Sequence, residues 1–112
     1  MTNQMGRRLT YYVIYRNDER VGGPAGLFVT DVGGNAILWD HRSGHWAFDP
    51  ALVVRFVNDY RNVDRFETVD RATAERAAEA VSGGTALPDE DGIRAMFAPG
   101  ASAGGAQPSG RQ

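Results

Sequence analysis

Two histidines four residues apart, His41 and His45, enclose Arg42-Ser43-Gly44 and are flanked by Asp40 and Asp49, so imidazoles, carboxylates and a hydroxyl fall within one short stretch. Imidazole with carboxylate is a donor set that a divalent metal takes, and a hydroxyl beside His and Asp is the raw material of a nucleophilic triad. The spacing meets the demands of neither. A metal site needs a third and often a fourth ligand with supporting hydrogen bonds behind it, and a tight Ser-Gly turn sends two imidazoles into water as readily as toward each other. Nothing around Ser43 resembles the strained strand-to-helix elbow that exposes a catalytic serine above a sheet. The expectation is therefore solvated turn histidines, with no metal, no cofactor and no catalytic residue.

The same stretch, residues 39 to 50, holds both tryptophans, and Phe48, Tyr11, Tyr12, Tyr15 and Tyr60 add to its aromatic weight. Tryptophan, tyrosine and arginine are the residues that concentrate protein-interface energy. In a small chain tryptophans also serve as core, with Trp39 packed under the helix that follows Asp49. The candidate binding set is Trp39, His41, Arg42, His45, Trp46 and Tyr60. Elsewhere the chemistry is blander. Asp64, Glu67 and Asp70 lie among Arg61, Arg65 and Arg71 and read as an exposed ion-pair belt. Gly22-Gly23-Pro24-Ala25-Gly26 joins two strands and no lysine follows it, which excludes a phosphate-cradling loop.

With 112 residues the chain suits one small domain with one core, and 42% hydrophobic against 23% charged residues is an ordinary globular composition. The formal charge of -2 gives no basic footprint for a phosphate backbone, so nucleic acid is not an expected partner. All twelve basic residues are arginine, which removes lysine chemistry, and the absence of cysteine removes disulfides, thiolate nucleophiles and zinc-thiolate sites. No apolar run approaches about 20 residues and no cleavable leader is evident, so a cytoplasmic, non-membrane protein is expected.

The elements that must position these residues can be read in order. Leu9 to Arg16, dense in β-branched and aromatic residues, predicts a strand with both faces partly covered, as for a central strand. Leu27 to Val32 and Ala36 to Asp40 are strands joined by the hairpin signal Gly33-Gly34-Asn35. After the turn and a short return segment, Asp49 caps and Pro50 opens a helix whose apolar stripe is Leu52, Val53, Phe56, Val57 and Tyr60. Arg65 to Val69 reads as a short edge strand. Asp70 caps a helix over Arg71 to Val81 with Ala74, Ala77, Ala78 and Val81 on one face, ended by Gly83-Gly84. Leu87-Pro88 introduces a last short helix that presents Ile93, Met96 and Phe97.

The fold expected is α+β: an antiparallel three- to four-stranded sheet in the order β-β-β-α-β-α-α with its helices on one face. Residues 1–8 read as a flexible N-terminus, 9–97 as the domain, and 98–112 as a disordered tail too poor in apolar residues to order itself. Size and order are similar to those of many compact accessory and immunity-type modules, a fold-level analogy only. The function expected is a non-enzymatic protein-binding module of antitoxin, immunity or regulatory type, acting through the aromatic and arginine surface around residues 39–48. The alternative is a small metal- or ligand-binding enzyme using His41 and His45 in an aromatic cleft.

Overall fold

Leu9–Ile14 form β1, where Tyr11 and Val13 are buried on one face while Tyr12 and Ile14 are partly covered on the other. A strand apolar on both sides belongs in the interior of a sheet, and β1 pairs antiparallel with β2 (Gly26–Asp31) on one side and β5 (Phe66–Val69) on the other. Then β2 pairs with β3 (Ala36–Asp40) and β3 with β4 (His45–Phe48), giving the spatial order β4-β3-β2-β1-β5. This computed structural model describes residues 8–17, 20 and 22–97. The expected flexible N-terminus, save Arg8, and the whole of the expected disordered tail lie outside the described residues.

The fold is α+β, with a five-stranded antiparallel sheet in place of three or four strands. The additional strand is β4, read from sequence as a return segment. Its four residues carry no long alternation, and pairing with β3 is what makes them a strand.

The expectation of helices on one face is corrected. α2 (Arg71–Ser82) and α3 (Glu90–Phe97) pack on the face that carries Tyr11, Val13, Leu27, Val29 and Ile37. α1 (Pro50–Asn58) sets Val53 against Phe28 and Ala36 on the other face. Apolar residues on both sides of β1 and β2 leave no other arrangement.

The starts of α1 and α2 are explained by their caps. Asp49 accepts the amide of Leu52 at 3.1 Å with Pro50 at the first helical position, and Asp70 accepts that of Thr73 at 2.8 Å. Gly83 ends α2 in the left-handed conformation, φ +76°, that a residue with a Cβ resists. Ala74, Ala77 and Ala78 are buried, so α2 lies close on β1 and β2. The stripe predicted for α1 is less buried than its spacing implied. Only Val53 is fully covered, the helix stops at Asn58, and Tyr60 falls in a separate 3-10 turn, Tyr60–Asn62. The ion-pair belt is also arranged differently: Arg61 pairs with Asp59, Arg71 with Glu75, and Glu67 with Arg20.

The close seat of α2 has a measurable consequence. Ala78→Leu is expected to lower unfolding free energy by about 1–3 kcal/mol, because extra methylenes enter a filled interface. Ala80→Leu on the exposed side of the same helix should stay within about 0.5 kcal/mol of the parent. Urea unfolding of the two variants checks this; equal effects would mean that α2 does not rest on the sheet through its alanine face.

Candidate functional site

The β3–β4 turn is built around one carboxylate. Asp40 accepts the amide of Arg42 and the hydroxyl of Ser43, each at 3.0 Å, and its carbonyl accepts Gly44 N–H at 2.8 Å. Gly44 takes φ +74°, the position that requires glycine. The Arg42 amide, then the Ser43 hydroxyl, hold the Asp40 carboxyl below the usual carboxylate range. Ser43 thus donates to a turn-closing carboxylate and is not aimed at a histidine. His41 donates from Nε2 to the carbonyl of Ala25 at 3.0 Å, which ties the turn to the segment entering β2. His45 is exposed on β4, opposite Asp40 in the ladder. Arg42 is exposed in the turn. Among the described residues no group of three His, Cys, Asp or Glu side chains is placed to hold a metal ion.

The tryptophans face each other across β3 and β4, ring centroids 5.1 Å apart and edge to face. Trp39 is 7% exposed and belongs to the interior. Trp46 is half-buried, and its indole N–H donates to the carbonyl of Ala86 at 3.0 Å, which fastens the α2–α3 connection beneath the sheet. A buried tryptophan presents no ring to a partner. Tyr60, 83% exposed, is separated from β4 by the whole of α1. The structure therefore disperses the predicted set: His41, Arg42 and His45 at the turn, Trp39 and Trp46 under the sheet, Tyr60 beyond α1.

A different surface is assembled from residues far apart in sequence. α1 covers β3, leaving the β1–β5 half of that face open. The result is a groove of about 230 Å³ lined by Tyr12, Phe28, Thr30 and Phe66 from the sheet, and by Val53, Val54, Val57 and Asn58 from α1. Its floor is an aromatic layer, with Tyr12 stacked on Phe28 at 4.6 Å and Phe66 edge-on to Tyr12 at 6.0 Å. Phe56 closes it from behind, 5.6 Å from Phe66. Val54 is 52% and Val57 39% exposed, large values for valines in a chain of this size.

Among the described residues no charged side chain lines the groove, and only the side chains of Tyr12, Thr30 and Asn58 bring polar atoms to it. Just past the end of α1, Arg61 donates twice to Asp59 and holds that carboxyl down to about 2. The charge beside the groove is thus internally paired. The sequence signal that could have found this surface was the double-sided character of the first strand, which requires something on Tyr12's face. Which residues complete it depends on register, Tyr12 opposite Phe28 and Ile14 opposite Phe66. The chain matches no protein-family model, no curated protein and no solved structure.

The turn gives a pH signature. A carboxyl whose folded pKa is depressed contributes stability above its unfolded value, and that stability is lost as pH falls through the folded value. The Asp40 carboxyl carbon, followed by NMR, should titrate with a midpoint below about 3.9, the unperturbed value. Ser43→Ala should move the midpoint upward, and Arg42→Ala, which keeps the amide donor, should move it less. An ordinary midpoint in the parent protein would show that the turn is not closed through this carboxylate.

Proposed function

We propose that the protein is a non-enzymatic binding module whose groove between α1 and the β1–β5 half of the sheet receives one or two large uncharged side chains from a partner protein. The observation that carries this reading is the groove's lining: an aromatic floor and a valine wall with no charge among the described residues. The volume supports this class of occupant. Pockets for drug-sized ligands span roughly 300–1,000 Å³, whereas about 230 Å³ fits side chains presented on another protein better than a free cofactor. The chemistry agrees, because among the described residues that line it the groove has no acid, base or metal ligand to act on what it holds. Tyr60 and Val63, which follow α1 in the chain, are exposed as well. An accessory or regulatory role in the cytoplasm is consistent with this reading, and no described helix is long and apolar enough to cross a membrane.

The test uses short capped peptides as probes. Acetyl-Gly-X-Gly-amides with X as Leu, Phe or Trp are expected to shift the methyl resonances of Val53, Val54 and Val57 at millimolar concentration, and those with X as Asp or Arg are not. Val57→Arg, at a half-exposed position, should fold normally and abolish the shifts. A partner isolated with the protein from its native host should bind that variant weaker by about 2 kcal/mol, the scale of a single anchor residue. Apolar peptides that leave the valine methyls unmoved, together with a partner that holds the variant as tightly as the parent, would remove the groove from function.

A further inference from the structure

The two edges of the sheet are treated differently by the chain. At β5 part of the edge is taken: Arg20 donates from Nη2 to the outward carbonyl of Phe66 at 3.3 Å and from Nε to that of Asp64, just before the strand, at 2.9 Å, and its Nη1 lies 3.6 Å from Glu67 Oε1. Tyr15 donates its hydroxyl to the same Glu67 at 2.8 Å. A guanidinium lying along a strand blocks further pairing there, a familiar way of protecting an exposed edge.

Among the described residues no such guard stands at β4. The amide of Asp49 donates to Ala36 O, so in the β3–β4 ladder residues 45, 47 and 49 turn their backbone groups toward β3, and Trp46 and Phe48 turn theirs outward. Among the described residues nothing hydrogen-bonds those outward amides and carbonyls. The strand carries no lysine, proline or acidic side chain, and its sequence is His-Trp-Ala-Phe.

We propose that the β4 edge is where a second copy of this chain docks, its own β4 antiparallel to the first about a two-fold axis through Ala47. Three features select a second copy over an unrelated strand. First, the outward groups are spaced for self-pairing: Trp46 meets Phe48 of the other copy and Phe48 meets its Trp46, two pairs that each exchange two main-chain hydrogen bonds. Second, the residue on the axis is alanine, so the closest approach, between the two copies of Ala47, is unhindered. Third, the next positions outward place His45 opposite Asp49 of the other copy. His45 is exposed, and Asp49 uses only Oδ1 on its own helix, leaving Oδ2 for a donor from across the interface. On the opposite face of the sheet the same register sets Trp46 beside the other copy's Phe48, an aromatic cross-strand pair.

Sedimentation equilibrium over a concentration series is expected to show a reversible monomer–dimer mixture. His45→Glu, which sets carboxylate against carboxylate, should shift the midpoint of dimerisation at least tenfold upward in concentration. His45→Glu combined with Asp49→Asn, which keeps a helix cap, should recover most of that loss. Val57→Arg in the groove should leave association unchanged, separating this result from that for the proposed function. Register is read directly with Ala47→Cys. Two facing residues of a non-hydrogen-bonded pair stand about 4.5 Å apart, inside the range for a disulfide, so mild oxidation should link the copies through this cysteine and not through Ala80→Cys on exposed α2. A protein that stays monomeric at millimolar concentration overturns the proposal. So does a dimer indifferent to His45→Glu in which Ala47→Cys fails to link.

Discussion

A sheet that is apolar on both faces has to be covered on both, and the described residues supply three short α-helices with which to do it. The face carrying Tyr11, Val13, Val29 and Ile37 takes α2 and α3 together and is closed. The other face receives α1 alone, nine residues long, which rests over β3. About 1.5 Å of helix per residue cannot span five strands spaced about 4.8 Å apart and also run along them. The half beyond it is where Tyr12, Phe28 and Phe66 meet, and those rings pack on one another and on Phe56, which α1 sends in from one side. The groove is thus a direct consequence of how little helix the chain devotes to that side.

The two faces also solve the packing problem with opposite volumes. On the closed face, small side chains let α2 approach until its backbone is near the strands, and the larger contacts come from Ile93 and Phe97 of α3 and Leu87 just before it. Tyr11 then needs a partner at the margin of the interface. Arg71 provides it, its guanidinium 5.4 Å from the ring centroid and Nη1 donating to the hydroxyl at 3.1 Å. Trp46 does the corresponding work at the other end by holding Ala86 through its indole N–H. Large amphipathic rings are thereby spent on fastening helices to the sheet, which is why two tryptophans in one short stretch need not signal a recognition surface.

Local signals in the sequence were sufficient wherever a single residue type dictates backbone geometry. Asp49-Pro50, Asp70 and Gly83 mark helix boundaries because capping and positive φ are properties of one or two residues. The density of β-branched and aromatic residues from Leu9 onward was likewise enough to place β1 inside the sheet, and Arg65 to Val69 fell at an edge as its alternating charges implied. β4 was not legible. Its residues differ little from those of a loop, and only the ladder to β3 distinguishes them. The groove was hidden for a related reason: positions 12, 28 and 66 become neighbours through strand register, which no local pattern encodes. The turn around Asp40 was visible, but a hydroxyl between two histidines looks the same in sequence whether it closes a turn or attacks a substrate.

Groove and β4 edge lie at opposite sides of the same sheet, which bears on how they would act together. Antiparallel pairing about an axis normal to the sheet keeps equivalent faces on the same side, so a paired assembly carries its two grooves on one surface, far apart and facing one way. A partner that presents two apolar segments at that separation would be held by both, and the second attachment becomes intramolecular, raising avidity by roughly 10²–10⁴ over a single site without a new contact. A partner with one segment would gain nothing from the pairing. The partly guarded edge at β5 fits this arrangement: Arg20 across the carbonyls of Asp64 and Phe66 impedes growth of the sheet on that side, so association through β4 would close as a pair instead of continuing into a filament.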